Sequence, residues 1–197
     1  HKVITDREFI RIVNYVKYHY GIDLSQKRTL VAGRLENYLV RCSCCGAFDS
    51  MVTEDDRFRC TECGQSGRYT PQGFLEGEGL RFDSVYDWGV WSENETCEYI
   101  KAFEGDGPVF TDTDTVLYEV LSDHSRVDLA SGEVKGYTDR LETGGDTFRF
   151  EDINGMDMLY FGKTLVFSYK KRHMAITGEH FHAIKYQKLF NTYRTKK

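Results

Sequence analysis

The chain has 197 residues, 40% of them hydrophobic and 14% aromatic, with only two prolines, a composition that suits one or two folded domains and excludes a disordered polypeptide. No run of about 18 apolar residues occurs, and the N-terminus lacks the basic-then-apolar pattern of a secretory leader, so neither a spanning helix nor export is expected and the cytoplasm is the expected address. The net charge of −5 hides an asymmetry: residues 72–157 carry 6 Lys/Arg against 21 Asp/Glu, whereas residues 158–197 carry 9 against 1.

Residues 1–40 are expected to form a helical hairpin. Thr5 as N-cap with Glu8 three positions on makes a capping box, and Ile4 and Phe9 are placed for a hydrophobic staple. Phe9, Ile12, Val13, Val16 and Tyr20 then line one face, and Gly21 ends the helix. A second helix from about Ser25 carries Leu30, Val31, Leu35, Tyr38 and Leu39. The segments ITDREF and YHYGIDLSQKRTLVAGRLENYL resemble the start of the N-terminal helical domain of chemotaxis receptor methyltransferases. That family places a Gly-Ile-x-Leu turn before a Lys-x-x-Leu-Val-x-x-Arg-Leu helix. The resemblance stops near residue 40, and no glycine-rich strand-to-helix turn follows to hold S-adenosylmethionine. It implies two docking helices without methyltransferase activity.

Residues 41–76 hold five of the six cysteines. Cys42 and Cys45 are separated by two residues, as are Cys60 and Cys63, with fourteen residues between the pairs. Each C-x2-C lets a tight turn aim two thiolates at one point, and Gly46 and Gly64 follow the pairs where such a turn needs a positive φ. The intervening SMVTEDDRFRC reads as strand, acidic turn, strand. The pattern predicts a four-cysteine zinc ribbon in which Cys42, Cys45, Cys60 and Cys63 bind structural Zn2+, because four thiolates leave no open position for a water. Cys44 breaks the two-residue spacing and is read as a bystander. Cys97 is read as a buried small hydrophobe.

Residues 77–105 are expected to form a linking helix, with Trp88, Trp91, Tyr99, Ile100 and Phe103 on its buried aromatic side. The segment is strongly acidic, which argues against a base-stacking role for the tryptophans. From about residue 106 to 197, short stretches alternate apolar and polar positions and break at Gly, Asp or Asn, as in a meander of six or seven strands. A final amphipathic helix carries Ala183, Tyr186, Leu189 or Phe190, and Tyr193 on one face. The expected class is therefore α+β: two N-terminal helices, a zinc ribbon, a linking helix, and a pleckstrin-homology-like β-barrel or sandwich closed by a C-terminal helix.

CTECGQSGRYTPQGFLEG, DSVYDWGVW, FRFEDINGMDMLYFGKTLVFSYKKRHMAIT and HAIKYQKLF resemble the accessory C-terminal region that follows the catalytic domain in some Firmicute lysophospholipid acyltransferases. The resemblance spans roughly 41–194 and implies a zinc ribbon, a tryptophan-bearing helix and a β-rich domain associated with phospholipid synthesis at the membrane face. The acyltransferase domain itself is not among these residues.

Candidate sites beyond the cysteines are few. Lys170, Lys171 and Arg172 fall at an expected hairpin tip and, with Arg194, Lys196 and Lys197, offer an anionic membrane surface or a protein partner a basic patch, at about 1 kcal/mol per charge beside a bilayer. Asp112 and Asp114 share a strand face but lack the glycine turn and bidentate Glu of a calcium loop, and are read as solvated. His180 and His182 diverge by about 200° on a helix. No Ser-His-Asp, Cys-His, phosphate-loop or paired-carboxylate pattern stands out, and a sequence pI near 5.7 argues against nucleic acid. The sequence thus points to a non-catalytic, zinc-stabilised docking module, cytoplasmic or peripheral at the inner membrane face. The alternatives are a fragment whose catalytic domain, acyltransferase or methyltransferase, lies elsewhere, and a nucleic-acid-binding ribbon.

Overall fold

The structure is a computed structural model that describes Tyr18 and residues 39–70, 73–159 and 162–195. Nearly all of the expected N-terminal hairpin lies outside the described residues, as do Lys196 and Lys197. The fold is α+β, and the described residues hold two long helices and two antiparallel sheets. Among the described residues no helix is long and apolar enough to cross a membrane. The chain divides into two compact units, one ending at Ser92 and the other beginning at Glu93.

The first unit holds a four-stranded sheet of β1 (Met51–Glu54), β2 (Arg57–Cys60), β3 (Ser66–Tyr69) and β4 (Leu75–Glu76), paired in sequence order. Asp55 and Asp56 make the tight turn between β1 and β2, with Asp55 at φ 53°, a conformation that Asp tolerates better than most residues. Alternation then decides the two faces. Met51, Phe58, Cys60 and Leu75 point inward with Leu39, Cys42 and Trp88 to form one small core, while Val52, Arg57, Arg59 and Arg68 point out. Trp88 is fully buried, and its indole Nε1–H donates to the Arg41 carbonyl at 2.9 Å, so burial leaves no orphan donor on that ring.

Trp88 sits on α1 (Val85–Ala102), whose start is capped by Ser84: the Asp87 N–H donates to Ser84 Oγ at 3.1 Å. The buried stripe of this helix is Trp88, Ser92, Thr96 and Ile100. This corrects the expected aromatic face. Tyr99 is 40% exposed, because a spacing of four residues puts two small hydroxyl side chains, rather than a ring, on the inward line. Cys97 is half-buried rather than enclosed.

The second unit is built on a seven-stranded antiparallel sheet curled into a half-barrel. Its strands are β5 (Phe110–Val120), β6 (Arg126–Gly136), β7 (Arg140–Thr143), β8 (Asp146–Arg149), β9 (Ile153–Leu159), β10 (Thr164–Tyr169) and β11 (Arg172–Gly178). The spatial order β8-β7-β6-β5-β11-β10-β9 pairs the first of these strands with the last. Seven strands agree with the upper count expected from the alternating stretches. A 3-10 turn at Phe150–Asp152 joins β8 to β9.

Inside lie Leu117, Val134, Leu141, Phe148, Leu165, Phe167, Met174 and Ile176, all at most 3% exposed. Each such side chain contributes about 1.5–3 kcal/mol on burial before entropy is counted. The second helix, α2 (Ala183–Thr195), packs Tyr186, Leu189 and Phe190 into this core. Gly136 makes that approach possible: a Cβ there would lie 2.6 Å from Leu189 Cδ1 and 2.9 Å from the Tyr186 ring.

Asp112 is not solvated, contrary to the reading of the sequence. A register shift between Asp112 and Thr115 changes which face β5 presents at Asp112. Lys185 Nζ, 1% exposed, lies 2.9 Å from Asp112 Oδ1, and the Tyr186 hydroxyl donates to Asp112 Oδ2 at 2.6 Å. A buried lysine without such a carboxylate would be left as an uncompensated charge.

Candidate metal centre

Two turns of nearly identical construction deliver the four cysteines. In the first, the Gly46 N–H donates to the Cys42 carbonyl at 2.9 Å and the Cys42 N–H to the Ala47 carbonyl at 3.0 Å. In the second, the Gly64 N–H donates to the Cys60 carbonyl at 3.1 Å and the Cys60 N–H to the Gln65 carbonyl at 2.8 Å. Gly46 and Gly64 have φ of 74° and 75°, the left-handed conformation that closes each turn and that a side chain would strain. The glycines read from the sequence therefore do the work expected of them.

The result is a cluster in which the Sγ atoms of Cys42, Cys45, Cys60 and Cys63 all lie within 4.8 Å of one another. Cys42 Sγ is 3.7 Å from Cys63 Sγ, and Cys45 Sγ is 3.7 Å from Cys60 Sγ. A regular tetrahedron with metal–sulfur bonds of about 2.3 Å has sulfur–sulfur edges of about 3.8 Å, so the spacing fits a metal at the centre. All four are free thiols. Cys42 and Cys60 are buried against the small core, whereas Cys45 and Cys63 face solvent.

The surroundings act differently on the two buried thiols. Burial pushes the Cys42 thiol up to about 12. At Cys60 burial opposes ionisation too, but the Ser50 hydroxyl and the N–H groups of Cys63 and Glu62 outweigh it and hold that thiol down to about 6. Four sulfurs at these distances repel one another once ionised, and a divalent cation removes that penalty. Soft thiolate donors suit zinc and iron and disfavour magnesium or calcium.

Residues that the spacing alone did not single out support the cluster. Gln65 accepts a hydrogen bond from Ser43 Oγ at 3.1 Å and donates through Nε2 to the Gly79 carbonyl at 3.0 Å, while its Oε1 lies 3.7 Å from Cys42 Sγ. Ser50 Oγ lies 3.3 Å from Cys60 Sγ. Gln65 has one signal in the sequence, its adjacency to the second turn, whereas Ser50 has none, because it meets Cys60 from ten residues away across the β1–β2 pair. Cys44 is exposed and its thiol is not among the four, as expected, although its backbone N–H points at Cys42 Sγ at 3.4 Å.

The basic residues are placed differently from the cysteines. Lys170 and Lys171 are the two central residues of the β10–β11 hairpin, at φ 48° and 68°, the left-handed pair that a two-residue turn of this hand requires. Arg172, at the base of the tip, is engaged: its guanidinium donates to both carboxylate oxygens of Glu119 at 3.0 and 2.6 Å. Lys170 Nζ lies 3.9 Å from Asp152 and over the Tyr169 ring. Arg194 is on α2, where it donates to the Asn154 carbonyl at 3.3 Å. Among the described residues of this basic set, Arg172 and Arg194 are thus each engaged by an acceptor.

No protein-family model matches the chain, and a search of curated proteins found no match either.

Proposed function

We propose that the chain is a non-catalytic, zinc-stabilised docking module whose partner is a protein. In this reading residues 41–76 are a zinc ribbon, the half-barrel with α2 is a pleckstrin-homology-like domain, and the metal is Zn2+ held by Cys42, Cys45, Cys60 and Cys63 in a structural role. The observation that carries it is the convergence of the four thiols within 4.8 Å of one another. Four protein ligands leave no coordination position for water or substrate, and zinc has no redox chemistry of its own, so such a centre builds a surface rather than performs a reaction. The accessory role implied by the acyltransferase resemblance agrees with that reading.

A protein partner is favoured over a bilayer by the state of the basic hairpin. Arg172 is bound to Glu119 and Lys170 is drawn toward Asp152, so the tip offers an anionic lipid surface much less than its sequence promised. The test is metal analysis of the purified chain followed by co-sedimentation with phosphatidylcholine vesicles, with and without phosphatidylserine, at low and high salt. The expected result is about one zinc per chain and no salt-sensitive capture by phosphatidylserine. A folded chain without metal overturns the zinc centre. Salt-sensitive capture that disappears in a Lys170→Ser, Lys171→Ser variant overturns the protein partner and makes the module a membrane binder.

A further inference from the structure

The outward face of the four-stranded sheet carries a charge pattern that the small core beneath it does not need. The register places Glu54 opposite Arg57, Arg57 opposite Arg68, and Arg68 opposite Glu76, so one row across the sheet reads minus, plus, plus, minus. The adjacent row on the same face is Val52, Arg59 and Ser66. Like charges directly opposite each other weaken a strand pair, so the Arg57–Arg68 juxtaposition costs this sheet stability. Arg68 is relieved by Glu76, to which it donates from Nε at 3.1 Å and from Nη2 at 2.7 Å. Arg57 and Arg59 are exposed, and neither side chain has a hydrogen-bond or ion-pair partner among the described residues. All three arginines line an open groove of about 900 Å³.

We propose that this groove is the docking surface of the module and that its occupant is an acidic peptide segment of a partner protein, an inference that rests on the docking role proposed above. The charge complementarity is specific in sign and in extent. Two unengaged guanidiniums beside a third present forks that match carboxylates in bidentate geometry. Glu54, Glu76 and Glu78 lie along the same groove and limit the positive field to its middle, so a short run of carboxylates fits where a continuous phosphate backbone is repelled. Exposed Val52 beside Arg59 adds apolar contact for the stem of an acidic side chain.

The test is fluorescence anisotropy of a labelled oligoglutamate peptide titrated with the full zinc-loaded chain, with oligoglutamine and single-stranded oligothymidylate as comparison probes. Metal content measured on the same samples reports on the zinc centre separately, so loss of that reading is not confused with loss of this one. The expected result is binding of oligoglutamate but not oligoglutamine, weakened roughly tenfold or more by Arg57→Ser with Arg59→Ser, with zinc retained. The control Arg149→Ser, which removes an exposed arginine of the other unit, leaves the affinity unchanged. Absence of oligoglutamate binding overturns the proposal, as does equal weakening by the control. Tighter binding of oligothymidylate than of oligoglutamate overturns it in favour of nucleic acid.

Discussion

The two units of this protein reach a folded state by different means. Among the described residues the first gathers seven core side chains, two of which are cysteines of the thiol cluster, and its strands run to at most four residues. The second has strands of up to eleven residues, a core rich in phenylalanine, and a buried ion pair between β5 and α2. In the first unit the described core runs directly into the four-cysteine cluster, whereas the second combines burial with a satisfied polar network.

That difference is sharpest when the cluster is removed. Cys60→Ser is expected to abolish zinc binding and with it about 10 kcal/mol or more of metal-linked folding energy. Hydrogen exchange should then lose protection across β1 to β4 while β5 to β11 keep theirs. Equal loss in both units would show that they do not fold independently and would break the comparison.

In the second unit the ion pair is the most sensitive point. Asp112→Ala leaves Lys185 buried and unpaired, and is expected to cost about 3–5 kcal/mol, read as faster exchange in β5 and β11. Asp112→Leu combined with Lys185→Met should recover most of that loss. If it does not, the pair contributes more than mutual neutralisation. A smaller effect is expected from Gly136→Ala, whose methyl would intrude on Leu189 and Tyr186 at a cost of about 1–3 kcal/mol, with no change in metal content.

The smallest effect concerns acid. The hydrogen bond from Arg172 depresses the Glu119 carboxyl below its ordinary value even though burial acts in the opposite direction. A group whose folded value is depressed stabilises the fold above its unfolded value, about 4.3 for Glu, and loses that contribution as pH falls through the folded value. Glu119→Gln should therefore be slightly less stable than the parent near neutrality, with the gap closing below about pH 4. A gap that persists in acid would mean that the carboxylate charge is not what matters at Arg172.

Where the fold was legible in the sequence, the informative contacts were local. The C-x2-C pairs, the glycines after them and the Asp55-Asp56 turn all act within a few residues, and alternation along β5 to β11 follows from the pleat of each strand alone. What escaped depended on partners distant in the chain. Asp112 meets Lys185 from 73 residues away and Arg172 meets Glu119 from 53 residues away, so a run of charges that looked solvated or free is in each case committed. The face of α1 was misjudged for a different reason: Ser92 and Thr96 carry no hydrophobic signal, yet they are buried at 1% and 3%.

The pairing of β5 with β11 also bears on how the molecule is made. Strands that begin and end the half-barrel become neighbours at its centre, so the sheet is completed only when the last strand is available. Before then β5 has an open edge, and β9 with β10 has nothing to dock against. High sequence separation between contacting strands slows folding and prolongs exposure of sticky edges. During synthesis the cysteine turns are therefore expected to form before β11 has emerged, and the half-barrel to close only after it.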